Sequence, residues 1–231
     1  MPARILLFDL DGTLLLTGGA GVRALDRAFR ELHGLEEAGR EIPFRGRTDL
    51  SIIRDIVERK LRRPFQPDEA GAICAHYLRY LEEEVGRSAT YRVLPGVPEL
   101  LPLLAARGDC LLGLGTGNIE TGARIKLARA DLNRFFAFGG FGSDAEDRVE
   151  VLRRGVARGE ARRARSGADG PAQVVVIGDT HLDVESGRAL GARTVAVATG
   201  GESPAALAEA GPDLLLADLS DPEAFLRILD G

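Results

Sequence analysis

Apolar positions along the chain fall into short unbroken runs separated by longer segments of helical period. The runs are residues 5–8, 111–114, 174–177 and 194–197, with a weaker fifth at 214–216. Each is Leu-rich or β-branched, ends in Gly or polar residues and lacks clean alternation, the pattern of strands buried on both faces. Between them, helical spacing predicts helices over 99–106, 119–130, 149–164, 183–190, 205–210 and 222–229. Alternating strands and helices imply an α/β fold: a Rossmann-like parallel sheet core with helices on both faces.

The interval after the first run breaks this rhythm. Residues 15 to 92 hold no convincing strand, but three helical stretches, 22–32, 50–61 and 68–85. Turn signals at Gly34, Pro43, Pro64 and Pro67 separate them. This reads as a small all-helical domain inserted after the first strand. The expected division is a core of 1–14 and 93–231 and a helical cap of 15–92.

Composition adds little except in its cations. The 231 residues suffice for one or two domains at ~150 residues each. A net charge of −5 argues against a general nucleic-acid binder but leaves room for a locally positive site and a small anionic substrate. Cys74 and Cys110 fit no metal spacing, and no run approaches the ~18 apolar residues of a membrane span. The 5–8 run is too short for a signal-peptide core. A cytoplasmic protein without membrane or nucleic-acid partners is the expectation; the sequence is silent on oligomeric state. Of the 30 basic residues, only Lys60 and Lys126 are lysines, which singles them out. The Arg-rich stretch 153–165 reads as a solvated helix face.

The chemistry sits at strand ends. The first run leads into Asp9-Leu10-Asp11-Gly12-Thr13. Two carboxylates one residue apart, where open α/β sheets place ligands, repel each other unless a cation intervenes. They form an acid/base pair or a metal site. The second run ends in Gly115-Thr116-Gly117-Asn118 before a helix, a phosphate cradle or a simple helix cap. Lys126 lies on that helix and suits neutralisation of a carboxylate and a phosphoryl oxygen. The 174–177 run ends in Gly178-Asp179-Thr180-His181-Leu182-Asp183. With a helix starting near Thr180, both carboxylates point into one site; His181 reads as solvent-facing.

These residues, in this order, resemble the haloacid dehalogenase-like hydrolase superfamily. The helical insertion sits where that superfamily carries a cap, and Pro95-Gly96-Val97 is similar to a segment of phosphoglycolate phosphatase-like members. The resemblance implies that Asp9 is the nucleophile of an aspartyl-phosphate mechanism and Asp11 the acid/base. It implies that Thr116, Gly117 and Asn118 hold the phosphoryl group, and that Lys126 offsets charge on Asp9. Mg2+ would be held by Asp9, the Asp11 backbone carbonyl and Asp179, with Asp183 holding a metal-bound water or Lys126. The superfamily's usual third-motif lysine is missing from 142–149, so either Lys126 or Arg148 fills its place; Lys126 is preferred.

A small-metabolite phosphatase, phosphoglycolate-like in its substrate, is thus expected. A phosphohexose mutase of the same fold is the alternative, followed by a non-catalytic phosphate-binding module. Asp11 argues against a dehalogenase, and Lys60 offers little support for a phosphonate hydrolase. Substrate choice is expected from the cap, where Arg47 either pairs with a second anionic group or is solvated beside a helix capped by Thr48 or Asp49. Hinges are expected near residues 15–19 and 92–96.

Overall fold

The structure, a computed structural model, describes residues 3–168 and 170–230. Strand β1 (Arg4–Phe8) opens it, followed by a two-residue strand β2 (Leu15–Leu16) and helices α1 (Ala20–His33), α2 (Asp49–Lys60) and α3 (Ala70–Arg87). A second short strand, β3 (Arg92–Val93), leads into α4 (Val97–Ala106), β4 (Cys110–Thr116) and α5 (Glu120–Ala128). Then come β5 (Gly139–Phe141), α6 (Arg148–Arg165), β6 (Gln173–Gly178) and α7 (His181–Ala189). The chain closes with β7 (Arg193–Val197), α8 (Pro204–Glu209), β8 (Leu214–Leu216) and α9 (Pro222–Asp230).

Six strands form one parallel sheet in the order β5-β4-β1-β6-β7-β8. Every expected apolar run lies within a strand of it. Leu6 and Phe8 of β1 face one layer, with Leu101 and Leu104 of α4, Leu127 of α5 and Phe225 of α9. Ile5 and Leu7 face the other, with Leu152 of α6. Because both faces are covered, β1 reads as a continuous apolar run. Each fully buried Leu or Phe here stabilises the fold by roughly 1.5–3 kcal/mol relative to exposure.

Three strands lay outside the sequence reading. β5 is an edge strand of Gly-Gly-Phe, too short and too poor in side chains to leave a hydrophobic signature. β2 and β3 pair antiparallel, Leu15 opposite Val93, which corrects the expectation of a strand-free 15–92 at its two ends. This ribbon joins the two crossings of the chain into the inserted helices, the place where hinges were expected.

Register decides where the chemistry falls. Phe8 is level with Leu114 on one side and Ile177 on the other. Asp9, the end of β4 and Asp179 therefore emerge together at the C-terminal edge of adjacent strands, where the chain must leave the sheet and a crevice opens.

The inserted helices have a core of their own. Leu25 and Phe29 of α1, Ile53 and Ile56 of α2, and Tyr77 and Leu81 of α3 are all buried in it. Thr48 caps α2, its side chain accepting from the Ser51 N–H at 3.3 Å. Glu84 of α3 is fully buried and accepts from Arg23 (2.8 Å), Arg27 (3.1 Å) and Arg87. Burial pushes its carboxyl up, but hydrogen bonds from Arg23, Arg87 and Arg27 outweigh this and hold it below the usual range. The helical unit sits directly on the crevice. The Asp49 N–H donates to the Gly117 carbonyl at 2.8 Å and Thr48 Oγ1 to the Glu146 carbonyl at 3.2 Å. On the far side, the Tyr91 hydroxyl donates to the Lys126 carbonyl at 2.8 Å.

Candidate active site

Asp9 follows β1, Asp179 follows β6 and Asp183 lies in the first turn of α7. All three are buried, and one carboxylate oxygen of each lies within 4.8 Å of the others. The backbone is shaped around them. Gly12 has φ +92°, and a Cβ there would come within 2.4 Å of Asp179 Oδ2. Only glycine allows the loop to pass so close. Thr13 Oγ1 donates to Asp179 Oδ1 at 3.2 Å.

The cluster is short of positive charge. Burial, followed by the charges of Asp183 and Asp11, pushes the Asp9 carboxyl up to about 6 despite the adjacent Arg148. Burial, then Asp9 and Asp183, push Asp179 up to about 9. Two oxygen donors that resist ionisation until a cation arrives are the donor set of a hard divalent ion. The buried carboxylates of Asp9, Asp179 and Asp183 fit such an ion.

Asp183 has partners of its own. Its Oδ1 accepts from Arg148, and its Oδ2 accepts from the Thr180 N–H at 3.1 Å and Thr180 Oγ1 at 2.7 Å. Thr180 and Asp183 form the capping box of α7. Both oxygens are thus engaged within the protein, and Asp183 orients Arg148 while remaining part of the carboxylate cluster that could hold a metal ion.

The two candidate cations divide the work. Arg148, the first residue of α6, reaches Asp9 Oδ1 at 3.1 Å as well as Asp183. Its Nε is buried without a hydrogen-bond partner. Lys126 donates at 2.6 Å to Asp11 Oδ2 and at 2.6 Å to Asn118 Oδ1. Burial disfavours its ammonium, but Asp11 and Asp49 outweigh that and raise its pKa, so the charge is kept. The direct contact to Asp9 comes from Arg148, whereas Lys126 contacts Asp11 and acts on Asp9 through its charge alone.

Thr116 is fully buried at the end of β4. Its hydroxyl oxygen accepts from the Asn118 N–H at 3.3 Å and Asn118 Nδ2 at 2.9 Å, so its own proton is left to donate elsewhere. Asn118 Nδ2 also donates to Asp11 Oδ2 at 2.8 Å. Asn118 therefore ties Thr116, Asp11 and Lys126 together through its amide, and its N–H is turned onto Thr116 rather than held for a ligand. Above them, the Ile119 N–H at the start of α5 donates to Asp49 Oδ2 at 2.9 Å. Burial pushes Asp49 up to about 6, moderated by Lys126 and by the Ile119 hydrogen bond.

These groups line one cavity of about 430 Å3 between the sheet edge and the inserted helices. Its floor is acidic and polar: Asp9, Asp11, Thr116, Lys126, Arg148 and Asp179. Its roof is Val22, Leu25, Phe44, Ile52 and Tyr77, with the Asp49 carboxyl among them.

A family model for haloacid dehalogenase-like hydrolase matches residues 3–191. The chain belongs to this family. The hydrolase is 29% identical over 197 residues to a phosphoglycolate phosphatase of Aquifex aeolicus (strain VF5), covering 83% of each chain. Its fold is shared by a predicted phosphoglycolate phosphatase from Haemophilus somnus 129PT, with a TM-score of 0.69, 19% identity and coverage of 99% of this chain and 98% of that one. It is also shared by a protein named as a β-phosphoglucomutase, from Bacteroides vulgatus, with a TM-score of 0.61, 21% identity and coverage of 98% and 88%.

Within the hydrolase, Arg47 is neither unpartnered nor simply solvated. It lines the cavity, but its guanidinium donates to Asp55 Oδ2 at 2.7 Å and to the Ser51 carbonyl at 3.1 Å. Gly117 passes so close beneath it that a Cβ would lie 2.1 Å from the Arg47 carbonyl oxygen. His181 is half exposed and bonded to Glu202 at 2.9 Å, outside the cavity lining, as its solvent-facing reading has it. Asp49 was weighed only as a cap of α2; it instead caps α5 across the interface. Within the Arg-rich stretch 153–165, read as a solvated helix face, Arg163 is buried. Among the described residues, no helix is long and apolar enough to cross a membrane.

Proposed function

We propose that the hydrolase cleaves a small phosphomonoester in two steps, through an aspartyl-phosphate on Asp9, with Mg2+ as its metal. The observation that carries the reading is the buried Asp9–Asp179 pair, short of positive charge, beside a Thr116 hydroxyl with a proton to give. We take residues 15–92 as the cap that closes over this chemistry and 1–14 with 93–231 as the core that performs it.

Arg148 engages Asp9 Oδ1, which leaves Oδ2 as the attacking atom. The Asp9 Oδ2–phosphorus bond forms as the phosphorus–ester oxygen bond breaks. Asp11, its Oδ2 held by Lys126 and Asn118, carries a proton on Oδ1 at the start of the cycle and gives it to the departing alkoxide. It then takes a proton from the water that attacks phosphorus, the Asp9–phosphorus bond breaks, and inorganic phosphate leaves. The Thr116 hydroxyl donates to a phosphoryl oxygen throughout. Mg2+, when bound by Asp9, Asp179 and the Asp11 carbonyl, supplies the charge that screens an anionic nucleophile from an anionic ester. The seated cap excludes water while Asp9 and the ester react.

The site favours a phosphatase over a mutase. A phosphohexose mutase must retain a bisphosphorylated intermediate and so hold a second phosphate under the cap. The roof offers Asp49 there, a repelling group. The test is inorganic phosphate release from a panel of phosphomonoesters, with Mg2+ and with EDTA, for wild type and Asp9→Asn. Mg2+-dependent release abolished in Asp9→Asn is expected. Full turnover by Asp9→Asn, or none by a folded wild type, refutes the proposal.

A further inference from the structure

We infer that the alcohol this hydrolase releases is uncharged, with an apolar face and a hydroxyl directed at Asp49, and that esters carrying a second anionic group are rejected. The inference rests on the phosphomonoester reading above and concerns the other end of the same substrate. Phosphoglycolate, which the name of the Aquifex relative invokes, carries a carboxylate at that end.

Four cations line the cavity: Arg45, Arg47, Lys126 and Arg148. Arg148 is held by Asp9 and Asp183, and Lys126 by Asp11 and Asn118. Arg47 is paired with Asp55 at 2.7 Å, a carboxylate that Arg59 shares at 3.9 Å. Arg45 is exposed and reaches out to the Gly201 carbonyl at 3.3 Å, in solvent, where a charge attracts weakly. Of these four, only the exposed Arg45 lacks a carboxylate partner among the described residues; the buried part of the roof has no unpaired cation to offer, and it contributes a carboxylate of its own. An anionic leaving group would lose its hydration among Val22, Leu25, Phe44 and Ile52 and meet Asp49 instead of a counter-ion.

A hydroxyl is received differently. Asp49 spends one lone pair on the Ile119 N–H and keeps others, and a carboxylate accepts strongly from an alcohol. Tyr77 adds an aromatic side chain to the same roof. At about 430 Å3 the cavity has room for a ring-sized group beside the phosphoryl, more than a two-carbon acid fills.

The test compares kcat/KM for phosphate release from 2-phosphoglycolate, glycerol phosphate, glucose 6-phosphate and phenyl phosphate. The neutral-alcohol esters are expected to exceed 2-phosphoglycolate by about tenfold or more, the scale of one opposed charge contact. Asp49→Asn, which keeps an acceptor for Ile119, is expected to narrow that ratio by about tenfold. Ile52→Arg, which adds a cation to the same wall, is expected to narrow it too, so the inference does not hang on one variant folding. Calorimetric binding of the same esters to Asp9→Asn gives the ranking without turnover. A wild type that prefers 2-phosphoglycolate, or a ratio unmoved by both roof variants, overturns the inference while leaving the phosphatase intact. Turnover independent of Asp9 defeats the phosphatase reading instead.

Discussion

Replacing Arg148 with methionine removes the cation between two buried carboxylates while keeping much of the side chain's length. Asp9 is 7% exposed and Asp183 2%, so neither recovers its lost partner from water. At 3.1 Å and an effective dielectric of ~20, the Arg148–Asp9 attraction alone is about 5 kcal/mol before desolvation is subtracted. Breaking a buried pair from one side costs about 3–5 kcal/mol in comparable cases. The loss must depend on pH. Asp9 is already pushed up to about 6 with Arg148 pulling it down, and without Arg148 it rises further. A carboxyl raised in the folded state holds a proton that the unfolded chain releases. The stability it supports is therefore present at low pH and is lost as pH climbs through the folded value. Protonated at pH 5, Asp9 needs no counter-ion; ionised at pH 8, it does. Urea unfolding in EDTA should show Arg148→Met weakened by about 3–5 kcal/mol at pH 8 and by clearly less at pH 5. A loss below about 1 kcal/mol at pH 8, or one equal at both pH values, would refute the assignment of Arg148 as the counter-ion of Asp9.

Mg2+ should raise the melting temperature more at pH 8.5 than at pH 5.5, because it must displace protons from Asp9 and Asp179, raised to about 6 and about 9; a shift independent of pH in thermal melts counts against the ligand set. Lys126→Met should lower kcat by about 10- to 100-fold with little change in KM, since Lys126 touches Asp11 and Asn118; steady-state kinetics in which only KM moves would place it on substrate instead. Gly12→Ala should weaken Mg2+ binding at least ~10-fold, because its Cβ needs the space of Asp179 at a φ of +92°; unchanged affinity by titration calorimetry would show that the loop yields freely.

The sheet was legible because its strands are buried on both faces. Runs such as residues 5–8 have no polar position to interrupt them, and strand-end carboxylates followed by glycine mark where the chain leaves the layer. The helices likewise fall within two or three residues of their expected bounds. β5 escaped because two of its three residues are glycine, and its only claim to be a strand is the register it borrows from β4. The cations escaped for a different reason. Arg148 stands directly after the helix cap Asp147 in a chain with 28 arginines, and nothing local tells it from Arg153 or Arg154 on the same helix. Its direction is set by where α6 lies against β1 and β5, a fact of packing. Lys126 stood out by rarity, but rarity says nothing of its direct contacts, which are Asp11 and Asn118. Asp49 looked like a helix-terminal residue of its own unit, and only the seating of that unit on Gly117 brings it to α5.

That seating has a thermodynamic corollary. The four-residue stretch Thr116-Gly117-Asn118-Ile119 is both the wall beside the proposed phosphoryl site and the ledge on which α2 rests, through the Gly117 carbonyl and the Ile119 amide. One short peptide therefore serves two equilibria, and their free energies are linked. Whatever a substrate gains by stiffening that peptide, the lid gains in docking, and the reverse holds with equal magnitude. A substitution that only loosens the lid, far from any reacting atom, is registered as weaker affinity for phosphate.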